Sequence, residues 1–320
     1  MIAGALAVLA CAVAAPMAIA QQPYPTKPVR VIVAFTAGGT TDLLARSIGT
    51  QLADRLGQPF VIENRPGAGG NIGTEIAVRA APDGYTLIVN SVGPIAVNPT
   101  LYRKLGYDPL TDLVPIVQIA EVPNVLVVHP SLPVRSMEEF VAYAKANPGK
   151  LSYGSTGIGT SSHLSGFLLS QRAGIQAVHV PYKGADALND LLAGRLQFMF
   201  ATIPSVIQHV RADKLRAIAV TSVARSRSLP DVPTVADSGF PGFSAGSWFG
   251  YFAPKGTPEI VITRVNQAVN EAIAVPAISA QLVSEGADPA GGSPAQFRDF
   301  VQREHEKWRD VVRQSGATVE

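Results

Sequence analysis

Short β-branched runs alternate along the chain with stretches whose apolar residues recur every three or four positions, beginning just after Tyr24-Pro25. The runs VRVIVAF (29–35), FVIEN (60–64), YTLIVN (85–90), NVLVVH (124–129), LSYGS (151–155), AVHVPY (177–182), LQFMF (196–200), LRAIAV (215–220) and SWFGYFA (247–253) predict strands. Helical patterns lie between many of them. Leu44, Ile48, Leu52 and Leu56 form one apolar stripe, because residues four apart share a helix face. Ser136-Met137-Glu138-Glu139 has the capping-box pattern and predicts a helix that ends at Asn147-Pro148-Gly149. This alternation predicts an α/β fold with parallel sheets covered by helices. The chain then turns helical around TPEIVITRVNQAVNEAIA and SPAQFRDFVQREHEKWRDVVRQ, a tail expected to return and brace the first domain.

A length of 320 residues suits one large or two ordinary domains. The 26 basic residues nearly balance the 24 acidic ones, and no basic run interleaved with aromatics occurs, so nucleic acid or an anionic membrane surface is not expected as a partner. The uncharged opening MIAGALAVLACAVAAPMAIA closes on Ala18-Ile19-Ala20, a small-x-small pattern that predicts a signal peptide cleaved after Ala20. Pro16 makes the same stretch a poor membrane anchor. A positive segment before the apolar run is missing, so the true start is expected a few codons upstream. Cys11 is the only cysteine. Leu9 fits a lipoprotein box poorly, so lipid anchoring at Cys11 is not expected, and the processed chain should need no disulfide or thiol chemistry.

Four glycine- or hydroxyl-rich loops follow strand candidates: AFTAGGTTD (34–42), NSVGP (90–94), GSTGIGTSSH (154–163) and PYKGAD (181–186). Each offers main-chain N–H groups or hydroxyls near a helix start, where the helix dipole favours negative charge. Two domains facing each other would oppose the first pair of loops to the second across a cleft suited to a small anion. Taken singly, each loop reads as an ordinary turn or N-cap rather than as a site. Asp42 reads as capping or charging the first turn of its helix. Asp186 has that reading too, or could pair with a ligand amine. His163, among hydroxyls at a helix start, reads as a hydrogen-bonded structural residue.

Catalytic readings find little support. Gly242-Phe243-Ser244-Ala245-Gly246 matches the G-x-S-x-G elbow, with Asp288 or Asp299 and His305 following in order, which makes a serine hydrolase using Ser244 the remote alternative. The elbow needs a strand before and a helix after, yet this pentapeptide precedes the strand-like SWFGYFA. His305 sits in a charged helical pattern and is expected to be solvated. His129, His163, His179, His209 and His305 are too dispersed for a metal site. In GAGGNIG (67–73) Ile72 stands where a dinucleotide fingerprint needs its third glycine. No catalytic residue, metal or cofactor is therefore expected.

At its loops the sequence resembles the Bug family, the TctC-like extracytoplasmic solute receptors of tripartite tricarboxylate transporters. The resemblance runs in order through YPTKPVRVIVAFTAGGTTDLLAR, ENRPGAGGNIGTEIAVRAAPDGYTLIV, NPTLYRKLGYDPLTDLVPI, LSYGSTGIGTSSHL, VPYKG, DLLAGRLQFMF, LRAIAVTSVARSRSLPDVPTVADSGFPGF and YFAPKGTP. It implies a two-lobed periplasmic binding protein fold, type II-like, with the ligand cleft between two α/β domains. Domain 1 would comprise residues 21–123 and 244–320, and domain 2 residues 124–243, with crossings in IVQIAEVPNVLV and GSWFGYFAP. The implied function is capture of a small carboxylate (a dicarboxylate, tricarboxylate, acidic amino acid or aromatic acid) and its delivery to membrane permease subunits. The protein would act in the periplasm as a monomer. An output through a membrane sensor kinase remains open.

Such receptors hold a carboxylate through main-chain amides, hydroxyls and water rather than an arginine clamp. By motif, first-domain contacts would come from Phe35, Thr36, Ala37, Gly39, Thr40 and Ser91. Those of the second domain would come from Thr156, Gly157, Thr160, Ser161, Gly184 and Ala185. Two departures stand out. Many relatives have proline at Ala34 or Thr36, so Thr36 adds a hydroxyl here. In the fourth loop, Ala185-Asp186-Ala187 is one residue shorter than the family pattern and carries an acid.

Overall fold

A computed structural model describes residues 24–184, 186–315 and 318–319. The expected leader, Cys11 included, and Ala185 lie outside the described residues. The first sheet has the strand order β11-β4-β10-β3-β1-β2. Its strands are β1 (Val29–Val33), β2 (Phe60–Asn64), β3 (Thr86–Ser91), β4 (Leu113–Val122), β10 (Ser247–Pro254) and β11 (Asp288–Gly291). The second sheet runs β7-β6-β8-β5-β9. It contains β5 (Asn124–Val128), β6 (Leu151–Ser155), β7 (Ala177–Pro181), β8 (Phe198–Thr202) and β9 (Arg216–Val220).

The α/β class is as expected, but the sheets are mixed rather than parallel. β1 pairs in parallel with β2 and β3, whereas β10 is antiparallel to both β3 and β4. In the second sheet β6 is parallel to β7 and β8, and β5 is antiparallel to β8 and β9. The antiparallel strands β5 and β10 are those entered at the two chain crossings between sheets, so each sheet receives a strand from the opposite direction. Two strands were not expected. Pro115 interrupts the β4 pattern, and it is tolerated because β10 shifts register opposite it, between Tyr251 and Phe252. The β11 segment, DPAG, has no apolar alternation.

Helix α1 (Thr40–Leu56) follows β1, and α2 (Asn71–Val78) precedes β3. Short α3 (Asn98–Leu101) and α4 (Pro109–Asp112) lead to β4. The second sheet carries α5 (Met137–Ala146), α6 (Ser161–Ala173), α7 (Asp186–Leu192) and α8 (Ile203–Arg211). Helices α9 (Glu259–Ile273), α10 (Pro276–Ser284) and α11 (Pro294–Ser315) complete the chain. The stripe Leu44, Ile48, Leu52 of α1 is buried with Val261, Val265 and Val269 of α9, so the tail packs onto the first sheet. Trp248 and Trp308 both donate their indole N–H to Glu304 Oε2, at 3.0 and 2.9 Å, fixing α11 to β10. Ser136 accepts the Glu139 N–H at 3.1 Å as the capping pattern predicts, but Glu139 reaches back to the Arg135 N–H.

The crossings meet at Asn124. This fully buried residue donates from Nδ2 to Ser165 Oγ and Ala245 O, at 3.1 and 3.0 Å, while its N–H bonds Thr221 Oγ1 at 2.9 Å. Both chain crossings and α6 are thus tied by one side chain. Asn124→Ala is expected to destabilise the fold by about 2 kcal/mol, because buried polar partners lose their bonds. In urea this reads as a lower midpoint with an unchanged slope. A midpoint equal to the parent's would make the tie dispensable.

Candidate functional site

The carboxyl ends of β1, β3, β6 and β8 open on one cleft, where ligands bind in open α/β sheets. A cavity of about 50 Å³ lies there, lined by Phe35, Gly39, Thr40, Thr41, Ser91, Thr156, Thr160, Ser161, Gly184, Thr202, Ser247 and Phe249. That is the space of a few water molecules. Residues from both sheets line it, and Thr40 Oγ1 lies 2.7 Å from Thr202 Oγ1, a direct hydroxyl bond across the cleft. The loops that follow the two sheets' strands are therefore in direct contact at this point.

Three helix starts converge on this cavity. Gly39 is the N-cap of α1, Thr160 of α6 and Thr202 of α8. The first N–H groups of a helix have no partner within it and carry the positive end of its dipole. Three such ends, with hydroxyls from Thr40, Thr41 and Thr202, form a concave donor surface, while the Thr160 and Ser161 hydroxyls donate to Gly157 O and Asn124 Oδ1. No Lys or Arg is among the described lining residues. Phe35 and Phe249 supply apolar walls.

The loops are held from behind. In the first, Asp42 is buried at the start of α1, and its carboxylate accepts the Gly38 N–H at 3.0 Å, Arg46 Nε at 3.0 Å and Asn64 Nδ2 at 3.0 Å. Burial pushes the Asp42 carboxyl up, but the Arg46, Gly38 and Asn64 hydrogen bonds outweigh it and hold the group below its ordinary range. Asn64 Nδ2 also bonds Phe35 O at 3.0 Å. Asp42 thus fixes the loop and is not among the residues that line the cavity.

In the third loop, Ser155 Oγ accepts the Gly157 N–H at 3.2 Å and lies 2.7 Å from His179 Nε2. Thr160 Oγ1 donates to Gly157 O at 2.7 Å, and the Gly159 N–H donates to His163 Nδ1 at 3.2 Å. The rings of His163 and His179 stack 4.2 Å apart, and Tyr153 also stacks on His179, at 4.8 Å. Burial lowers the pKa of His163 to about 4. Burial, with repulsion from His163, lowers that of His179 to about 3. Both imidazoles are neutral at pH 7 and serve as a hydrogen-bonded backing for the loop.

Of the residues named from sequence, Phe35, Gly39, Thr40, Ser91, Thr156, Thr160, Ser161 and Gly184 come together around the cavity. Thr36 does not line it; it meets Gly184 across the cleft, where a Cβ on Gly184 would collide with its hydroxyl. Ala37 is exposed in the loop, and Gly157 lies behind Thr160. Asp186 is exposed at the start of α7, outside the lining. Thr41, Thr202, Ser247 and Phe249 were missed. The alternation Ser247, Phe249 within the strand run placed both on one face, and ATIPS carries a helix-start proline after Thr202.

A roomier cavity of about 270 Å³ sits behind the crossings, lined in part by Glu121, Trp248, Asp288, Glu304 and Lys307. Its three carboxylates disfavour an anion. Ser244 borders it from an irregular exposed segment with no helix after it, so the elbow geometry is absent. His305 is half-buried, with Nδ1 enclosed, rather than solvated.

Residues 44–317 match the family described as tripartite tricarboxylate transporter family receptor, TctC. The chain belongs to this family. TctC and Bug proteins are periplasmic solute-binding receptors of two-domain fold. Protein BugT of Bordetella pertussis (strain Tohama I) is 40% identical over 309 residues, covering 96% of this chain and 94% of BugT. Among solved TctC-like structures, R. palustris Rpa4515 with adipate matches at a TM-score of 0.90 and 39% identity, covering 92% of this chain and 100% of that one. MatC from Rhodopseudomonas palustris, with bound malate, matches at a TM-score of 0.86 and 35% identity, covering 90% of this chain and 100% of MatC.

Proposed function

We propose that this protein is a non-enzymatic periplasmic receptor that captures a small carboxylate between two closing lobes and delivers it to the permease of a tripartite tricarboxylate transporter. The observation that carries the reading is the convergence of three helix starts and their hydroxyls on a cavity without a basic side chain. An array of N–H and O–H donors favours a carboxylate over a neutral ligand, and it does so without the desolvation cost of a buried cation. The ligands of Rpa4515 and MatC, adipate and malate, are dicarboxylates and support this class.

In this reading one lobe comprises residues 21–123 and 244–320 and the other 124–243, with export removing residues 1–20. The ligand touches Phe35, Gly39, Thr40, Thr41 and Ser91 on one side. On the other it meets Thr156, Thr160, Ser161, Gly184 and Thr202. Since only the closed form satisfies it from both sides, binding shifts the open–closed balance.

Ligand at a hundred times its dissociation constant should stabilise the fold by ~2.7 kcal/mol. A thermal-shift screen of malate, adipate, tricarboxylates, acidic amino acids and aromatic acids is expected to show at least one raised midpoint. A midpoint moved by a neutral sugar or a peptide, and by no carboxylate, would refute the ligand class.

A further inference from the structure

The glycine run Gly67-Ala68-Gly69-Gly70, which matches no nucleotide fingerprint, meets the other half of the molecule beside the cavity but outside its lining. All four residues have positive φ, at 133°, 47°, 62° and 98°. This backbone lies against Gly157-Ile158-Gly159. A Cβ on Gly69 would collide with the main-chain oxygen of Ile158, and one on Gly157 would sit 3.3 Å from Gly69 Cα. A Cβ on Gly159 would collide with Asn98 Oδ1 and come within 2.9 Å of Leu101 Cδ2. Gly93 adds a further approach, its Cβ position lying 3.2 Å from Gly159 O.

Asn98 is fully buried and donates from Nδ2 to Gly69 O at 3.3 Å, so the two first-lobe surfaces of this seam are joined. Its Oδ1, facing Gly159, has no hydrogen-bond partner among the described residues. A buried carbonyl oxygen without a partner is costly in a folded interior. Here it lies on a seam between two surfaces, where opening would return it to water. Neither Gly69, Asn98, Gly157 nor Gly159 lines the cavity.

From this geometry we infer that Gly69 and Asn98 of one lobe and Gly157 and Gly159 of the other form a closure seam that sets ligand affinity without touching the ligand. The inference rests on the receptor reading above. Closure brings backbone onto backbone, so a single methyl group at the seam holds the lobes apart while each lobe stays folded. Affinity falls for every ligand by a common factor, because the lost contact belongs to the closed state and not to any ligand.

Gly69→Ala tests this against a matched control. Gly174, the residue after α6, has φ 63° and no atom within 4 Å of its Cβ position. Gly174→Ala therefore carries the same left-handed backbone strain with nothing across the cleft. Gly69→Ala is expected to weaken calorimetric binding of malate, adipate and every other carboxylate that the parent binds at least tenfold. The rank order of ligands should be kept, and the ligand-free melting temperature should match that of Gly174→Ala, whose affinities stay at parent values. Affinities within twofold of the parent for Gly69→Ala would overturn the seam and leave the receptor reading intact.

Binding of no carboxylate by the parent would instead refute the receptor reading. The seam is then decided by electron-spin distance measurements on ligand-free protein labelled at Asp54→Cys and Lys150→Cys, both exposed positions. The parent should show a short-distance population that Gly69→Ala lacks; identical distributions would refute the seam.

Discussion

Gly39→Val is expected to abolish carboxylate binding, a loss of a hundredfold or more, which is about 2.7 kcal/mol. Gly39 has φ −80° and ψ 165°, extended backbone that valine adopts without strain. The nearest atom to its Cβ position is Thr36 O at 3.6 Å, an ordinary contact. Gly39 lines the cavity, so an isopropyl group there competes with the carboxylate for the same space. The cost to the fold is small by comparison. Exchanging glycine for valine at an N-cap costs about 1 kcal/mol, or roughly 1–2 °C in a chain of this size. Calorimetry and a thermal melt on the same variant separate the two effects. Retained affinity would make the first loop structural and remove α1 from the site.

The first and third loops were legible because a strand that ends in glycines and hydroxyls before an amphipathic stripe is a local pattern. What failed was what depends on tertiary pairing. The run LQFMF predicted a strand ending at Phe200, whereas β8 extends to Thr202. That two-residue slip hid the hydroxyl that meets Thr40 from 162 positions away. Phe249 enters the site because β10 inserts between β3 and β4, setting it opposite Ser91. No local signal specifies such an insertion. The strand β4 carries Pro115, a residue normally confined to edges and bulges, and the bulge that accommodates it is defined only by the pairing with β10. Asp42 shows the reverse case. Its position one turn into a helix, behind two glycines, was enough to read it as a structural anion, and its three donors account for a carboxylate buried there.

The second large effect is on pH. Stability is expected to fall steeply as pH drops from about 6.5 toward 4, because His163 and His179 are held neutral in the fold. A histidine in the unfolded chain titrates near 6.5, while burial lowers His163 to about 4 and His179 to about 3. Between these limits the unfolded state binds more protons than the native one, so stability rises with pH there and is fully present above 6.5. For His163, which is 9% exposed, the shift corresponds to roughly 3 kcal/mol lost by pH 4. His179 is half-buried and contributes less, because solvent screens its charge. The groups packed around the pair are Tyr153, Ser155 and the Gly159 N–H, and no carboxylate among the described residues offsets an imidazolium there. Protonating His163 Nδ1 also removes the acceptor of the Gly159 N–H, so the third loop should loosen before the fold melts. Ligand affinity is therefore expected to decline at a higher pH than the loss of secondary structure. His163→Gln, which keeps a side-chain acceptor but cannot titrate, should flatten the stability profile between pH 4 and 6.5. An unchanged slope in that variant would show that other groups govern the acid limb.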